Sequence, residues 1–284
     1  MTQEERRIWL IRQLRDEDPD YQKIEIPDTE QEQKDLLRAF MNVRMPKPVQ
    51  REILEIQDEY LFEENRKNGI VDVSELSPVK LDDRIVLWQG DITSLKVDAI
   101  VNAANSGMCG CFRALHNCVD NIIHSKSGMQ LRLKCHEIMQ EQGYEEPTGQ
   151  AKITPAYNLP CEYVIHTVGP IVQGRLTNEH RELLKSCYRS CLEIANEYKL
   201  ESIAFCCIST GVFMFPNGEA AKIAVDTVRE FLREETGIQK VVFNVFKDLD
   251  LEIYDKLLNC IRTVPTTVIP TARTRFRGSA PNIK

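Results

Sequence analysis

The chain has 284 residues, 42% of them apolar, and a formal charge of −7. That is enough apolar mass for a sizeable core, and the acidic balance excludes a strongly basic nucleic-acid binder. No run of about 18 apolar residues occurs, which excludes a membrane-spanning helix. Met1 to Arg7 lacks the apolar stretch of a secretory signal, so a cytoplasmic protein is expected, with its ten cysteines reduced.

Residues 1–80 carry a net charge of −6 with no His and no Cys. Thr2 with Glu5 forms a possible capping box before Ile8, Ile11 and Leu14. Asp28 with Gln31 repeats the signal ahead of Leu36, Leu37, Phe40 and Met41. A third helix is expected from Gln50 to Arg66, stopped at Gly69. This stretch reads as a helical N-terminal extension over 1–80.

From Arg84 the pattern changes to short β-prone runs, Ile85–Trp88 and Val97–Val101. A helix is expected from Val119 to Gln142, strands at Ala151–Thr154 and Tyr163–Val168, and a helix from Glu179 to Tyr198. Ser202–Ile208 is nearly all apolar and suits a buried central strand. A helix from Gly218 to Glu235, a strand at Lys240–Phe246 and a helix from Leu251 to Cys260 complete the series. Strands alternating with helices predict a mostly parallel sheet covered on both faces. Such sheets bind ligands at the carboxyl ends of their strands. Residues 81–262 form this second unit. Residues 263–284 read as a basic, loose tail.

Five motifs can carry chemistry. Gly90 and Asp91 follow the first strand; Asp91 is either a turn cap or an acceptor for an exocyclic amine. Asn102 and Asn105 bracket two alanines at a strand end, suiting either a turn or a pair of ribose hydroxyls. Cys111, His116 and Cys118 place two thiols and an imidazole in one loop. Zn²⁺ favours such a set, and three ligands leave a fourth position open; Cys109 can fill it, or these are reduced loop cysteines beside an unrelated His. Asp120 either caps a helix N-terminus or orients water beside a metal. Ser209, Thr210 and Gly211 precede a helix, where a turn of backbone N–H groups can hold an anion and Phe213 can stack on a ribose or base. Neither the P-loop nor the dinucleotide fingerprint is present.

Together these motifs resemble the macrodomain family, in its zinc-containing bacterial and fungal branch. The residues that carry this run from Gln89 to Thr93, Asp98 to Ser106, Gly110 to Cys118, Asp120 to His124, Pro147 to Thr154, Tyr163 to Pro170 and Ser209 to Pro216. Their order matches over 84–260, and the helical extension is also similar to that branch. Ala114, where Pro is expected, and Val119, where Ile is expected, depart from the pattern, as does the extra thiol of Cys109.

The resemblance implies a three-layer α/β/α sandwich with a mixed, mostly parallel sheet that binds ADP-ribose. Asp91 and Ile92 would contact the adenine side, Asn105 would hold the distal ribose, and Val119 and Asp120 would also bind the ligand. Ser209, Thr210, Gly211, Val212 and Phe213 would form the diphosphate loop. Cys111, His116 and Cys118 would hold one Zn²⁺ per chain. The implied activity is removal of mono-ADP-ribose from protein side chains, on Asp or Glu, with Asn105 and Asp120 as catalytic residues. The branch's association with sirtuin-like transferases makes a lipoyl-carrier protein a candidate acceptor. A monomer is expected, with no nucleic-acid or membrane partner. The rival reading is a module that binds ADP-ribosylated protein without turnover and carries a structural zinc.

Overall fold

The computed structural model describes residues 1–234 and 236–259. The basic tail expected over 263–284 and the helix end expected at Cys260 lie outside the described residues.

Three helices open the chain: α1 (Gln3–Asp16), α2 (Glu30–Val43) and α3 (Arg51–Lys67). Thr2 and Glu5 make the expected capping box. The second cap is Thr29 rather than Asp28: its hydroxyl accepts from the Glu32 N–H and meets the Glu32 carboxylate at 2.6 Å. The helices bury Leu10, Ile11, Leu14, Leu37, Phe40, Ile53 and Tyr60 in a core of their own, to which Met129 is added from beyond.

A short parallel pair, β1 (Val71–Asp72) and β3 (Leu95–Lys96), follows. Val73 and Val79 already pack into the main core, so that unit gathers residues from before position 81. The main sheet contains β2 (Ile85–Gln89), β4 (Ala99–Ala104), β5 (Ala151–Pro155), β6 (Tyr163–Val168), β7 (Ser202–Phe205) and β8 (Lys240–Val245). Their order is β2-β8-β7-β4-β6-β5, parallel throughout except for the antiparallel β5–β6 pair. Helices α4 (Val119–Ser127) and α5 (Met129–Gln142) pack on β4 and β5. Helices α6 (Asn178–Glu197), α7 (Asn217–Phe231) and α8 (Asp248–Asn259) pack on one another, with α6 against β5 and β6 and α8 against β2 and β8. This is the expected three-layer α/β/α sandwich preceded by helices. Among the described residues, no helix is long and apolar enough to cross a membrane.

Two expectations are corrected. The single helix over 119–142 is two, because Gly128 sits at φ 103°, ψ 175°, a region open essentially to glycine alone. The apolar run Ser202–Ile208 leaves the sheet after Phe205. Cys206 and Ile208 are buried in the main core and Cys207 packs against it, so the run stays apolar beyond the end of the strand.

Candidate functional site

The carboxyl ends of β2, β4, β7 and β8 open on a cleft of about 710 Å³. Its walls include Asp91, Ile92, His116, Cys118, Val119 and the whole loop from Ser209 to Phe213. The loops after four separate strands therefore converge on one volume, as the crevice rule for parallel sheets requires.

The 209–213 loop is built to present its backbone. Ser209 takes φ +65° and Met214 φ +58°, conformations that aim successive N–H groups to one side. The turn is closed by Phe215 N–H donating to Ser209 O (3.0 Å) and Val172 N–H donating to Phe213 O (2.8 Å). Among the described residues, the N–H groups of Thr210, Gly211, Val212 and Phe213 donate to no protein acceptor. The loop packs tightly on Gly169, where an added Cβ would collide with the Ser209 hydroxyl. That hydroxyl is buried without a partner.

At the far wall, Asp91 takes the turn-cap reading and also makes an ion pair. One oxygen caps the following turn, accepting from the Thr93 N–H (3.0 Å) and hydroxyl (2.6 Å). The other meets the Lys126 ammonium at 2.6 Å. Burial alone would raise its pKa, but Lys126 and Thr93 outweigh that and hold the carboxyl below its ordinary value. Asp91 thus faces the cleft as a carboxylate.

Cys111, His116 and Cys118 gather with ligand atoms all within 4.8 Å of one another. The Cys111 Sγ lies 3.5 Å from His116 Nδ1. Cys118 caps α4, its sulfur accepting from the Asn121 N–H. Burial and the neighbouring Asp120 and Cys111 push its pKa up to about 11, while the Asn121 N–H lowers it. Two thiols and an imidazole, half-buried and partly open to the cleft, are a donor set that fits zinc. Cys109 is not in this group; burial raises its thiol, and its carbonyl accepts from Arg132 Nε at 2.8 Å.

Asn105 and Asp120 lie beside the 111–118 loop, behind the cleft wall. Asn105 Nδ2 donates to Gly110 O (3.2 Å) and reaches Asp120 Oδ2 (3.4 Å). Its Oδ1 accepts from the Gly107 N–H, which is the turn reading of this motif. Asp120 is buried, which pushes its pKa up to about 6 against the opposing pull of Asn102, Arg132 and Asn105.

Asn102 corrects the idea of an Asn pair on ribose hydroxyls. It is fully buried and donates to Asp120 Oδ1 (2.8 Å), with His166 Nδ1 at 3.1 Å. Strand alternation turns Asn102 towards α4, so it supports Asp120 instead of touching a ligand.

Three further residues stand beside the site, and two of them, His166 and Arg132, carry no local sequence signal. His166 sits in β6, with Thr154 Oγ1 2.9 Å and Cys135 Sγ 3.8 Å from its Nε2. His124 lies 3.6 Å from Asp120, and both its ring nitrogens are buried without partners. The spacing of Asp120 and His124 by one helical turn was a usable signal. Arg132 spans the back of the loop, donating to the carbonyls of Met41 and Arg44 and stacking 4.4 Å from the exposed Phe112 ring.

The chain matches the Macro domain family over residues 101–224. It is 56% identical over 261 residues to a protein-ADP-ribose hydrolase of Treponema medium, covering 91% of this chain and all of that one. Among solved structures, it is similar to a mutant Oceanobacillus iheyensis macrodomain with ADPR (39% identity, TM-score 0.56, covering 61% of this chain and 90% of that one). It is also similar to the Trypanosoma brucei macrodomain in complex with ADP-ribose (31% identity, TM-score 0.60, 78% and 94% covered).

Proposed function

Since the chain belongs to the macro domain family, we propose that it is a protein-ADP-ribose hydrolase that releases ADP-ribose from a modified side chain. The relative that carries this name is 56% identical and is covered from end to end. The finer reading is that the linkage is mono-ADP-ribose on Asp or Glu, and that one zinc ion serves the reaction. The observation that carries it is the placing of two features in one cleft. Unspent backbone N–H groups stand on the 209–213 loop, and the thiol–imidazole group opens into the same space.

The chemistry follows from those positions. Four N–H groups at Thr210–Phe213 bind a diphosphate without a basic surface, which reconciles an anionic ligand with a net charge of −7. Asp91, held ionised by Lys126, is placed to accept from the adenine amine. Asn105 orients the distal ribose from the loop that also carries Cys111. Asp120 stands next to it as the group that positions water or balances positive charge at the anomeric carbon. Cys111, His116 and Cys118 would hold the zinc ion, which would supply Lewis-acid stabilisation for negative charge on the leaving oxygen.

The rival, a reader with a structural zinc, is separated by one experiment. The full chain is incubated with a mono-ADP-ribosylated acceptor, with and without chelator, alongside Cys118→Ala. Release of ADP-ribose that falls on chelation and in the variant is expected. Tight binding without release would falsify the hydrolase reading, and unchanged release after verified metal removal would remove zinc from the reaction.

A further inference from the structure

The loop that carries the three metal-binding side chains is held mostly by residues outside it, and two of them come from the N-terminal helices. Arg38 of α2 donates through one nitrogen to the carbonyl of His116 (2.8 Å) and to Asn121 Oδ1 (2.9 Å). Asn42, one helical turn further along and almost fully buried, accepts from the Leu115 N–H at 3.0 Å. Its amide donates to the Ser125 hydroxyl at 2.8 Å, which in turn donates to Asn121 O. Asn121, fully buried in α4, donates to the carbonyls of Cys111 (3.3 Å) and Arg113 (3.0 Å).

These bonds fall on the backbone of one metal-binding residue, Cys111, of another, His116, and of the residue before it. Leu115 needs such a hold, because it takes φ +55°, a conformation that costs a leucine about 1 kcal/mol or more. Released from Asn42, the loop would relax that strain, and the peptide carrying the His116 ring would turn with it. Arg38 does the same service from the other side by fixing the His116 carbonyl.

We propose that Arg38 and Asn42 are positioning residues for the metal loop, so that the N-terminal extension sets the metal affinity of the neighbouring domain. The inference rests on the zinc reading above. The two residues touch neither the 209–213 loop nor Asp91, so their direct effect falls on the 111–118 loop rather than on the diphosphate and adenine contacts of ADP-ribose.

The test uses the full chain and four variants: Arg38→Ala, Arg38→Lys, Asn42→Ala and Asn42→Asp. Zinc affinity is measured by competition with a chromophoric chelator. Amide exchange over residues 111–118 is followed in the metal-free chain, and ADP-ribose affinity serves as the control. Zinc affinity is expected to fall about 10–100-fold in both alanine variants, the usual cost of losing an outer-shell partner. Loop exchange should accelerate while ADP-ribose affinity holds. Asn42→Asp keeps the oxygen that receives the Leu115 N–H and should exceed Asn42→Ala in affinity. Arg38→Lys keeps a donor and should likewise lie between parent and alanine, which guards against a general loss of fold. A parent chain that takes up no zinc overturns the zinc reading itself. Variants that match a zinc-binding parent in both affinity and loop exchange overturn this inference alone.

Discussion

A run of side chains links Thr154 of β5, His166 of β6, Asn102 of β4 and Asp120 of α4. Asn102 has donors on its amide nitrogen, so His166 Nδ1 is the acceptor in that contact and the ring proton sits on Nε2, facing Thr154. Burial holds His166 neutral and pulls its pKa down to about 3, and burial with His166 and Arg132 nearby holds His124 well below its ordinary value. The titratable groups around His166 are His124 and Cys135, with Asp120 one residue beyond. In the unfolded chain both rings take up protons near 6.5, so the unfolded state binds more protons below that pH. The rings' contribution is therefore full above about pH 6.5 and falls as pH drops, for His166 down to about 3 at about 1.4 kcal/mol per pH unit, while Asp120, raised to about 6 in the fold, opposes them below that pH. Urea unfolding between pH 7.5 and 4.5 checks this. His166→Gln should show a shallower slope than the parent, and an equal slope would contradict the buried neutral ring. At this scale, legibility was uneven. The gathering of Cys111, His116 and Cys118 was readable because side chains close in sequence share a loop. Asn102 was not, because motif spacing does not tell which face of a strand a side chain takes.

Among the elements, the break at Gly128 has the largest structural consequence. The hydrophobic pattern runs unbroken through Val119–Gln142, and only the backbone at one glycine divides it. At φ 103° a side chain is strained, and a Cβ there would lie 2.7 Å from Gln57 Nε2 and 3.0 Å from Asn158 Nδ2. Gly128→Ala should destabilise the chain by about 1–3 kcal/mol. Chemical denaturation measures this, and a change below about 0.5 kcal/mol would mean that the helix junction is free to move. The element types were otherwise legible, because caps such as Thr2 and β-branched and aromatic runs such as Tyr163–Val168 are local signals. The ends were less so. Ser202–Ile208 is one apolar run, yet its last three residues lie beyond the strand, since apolarity reports burial and not hydrogen-bond pairing.

Across the whole molecule, the two cores are joined by polar bonds that leave no free choice of arrangement. Gln57 donates to Gln130 and accepts from the Met129 N–H. Asn65 donates to the carbonyls of Lys126 and Asn158. Arg132 reaches back to Met41 and Arg44. Separating the units would exchange these bonds for water at about 0.5–1.5 kcal/mol each and would pull Met129 out of the helical core, so the extension and the sandwich should unfold together. The two tryptophans make this measurable, because Trp9 lies in α1 and Trp88 in β2. Single-tryptophan chains, Trp9→Phe and Trp88→Phe, should report coincident urea transitions. Two separated midpoints would show an extension that folds on its own. Composition made both units visible, since the first 80 residues lack His and Cys and the remainder alternates strand with helix. Their union was hidden, because Gln, Asn and Arg on helix surfaces read as solvated until their partners are known.

The strand order has a consequence in time. β2 has a single neighbour in the sheet, β8, with Ile85 opposite Val241. A ribosome adding about 5–20 residues per second delivers that neighbour some 8–30 s after β2 itself. Through that interval Ile85, Val86, Leu87 and Trp88 form an emerged apolar strand with its partner still unsynthesised, and β7 waits likewise for the strand that joins it to β2. The edge of the sheet laid down first is thus the last to be closed, and the nascent chain is most exposed to wrong pairings there.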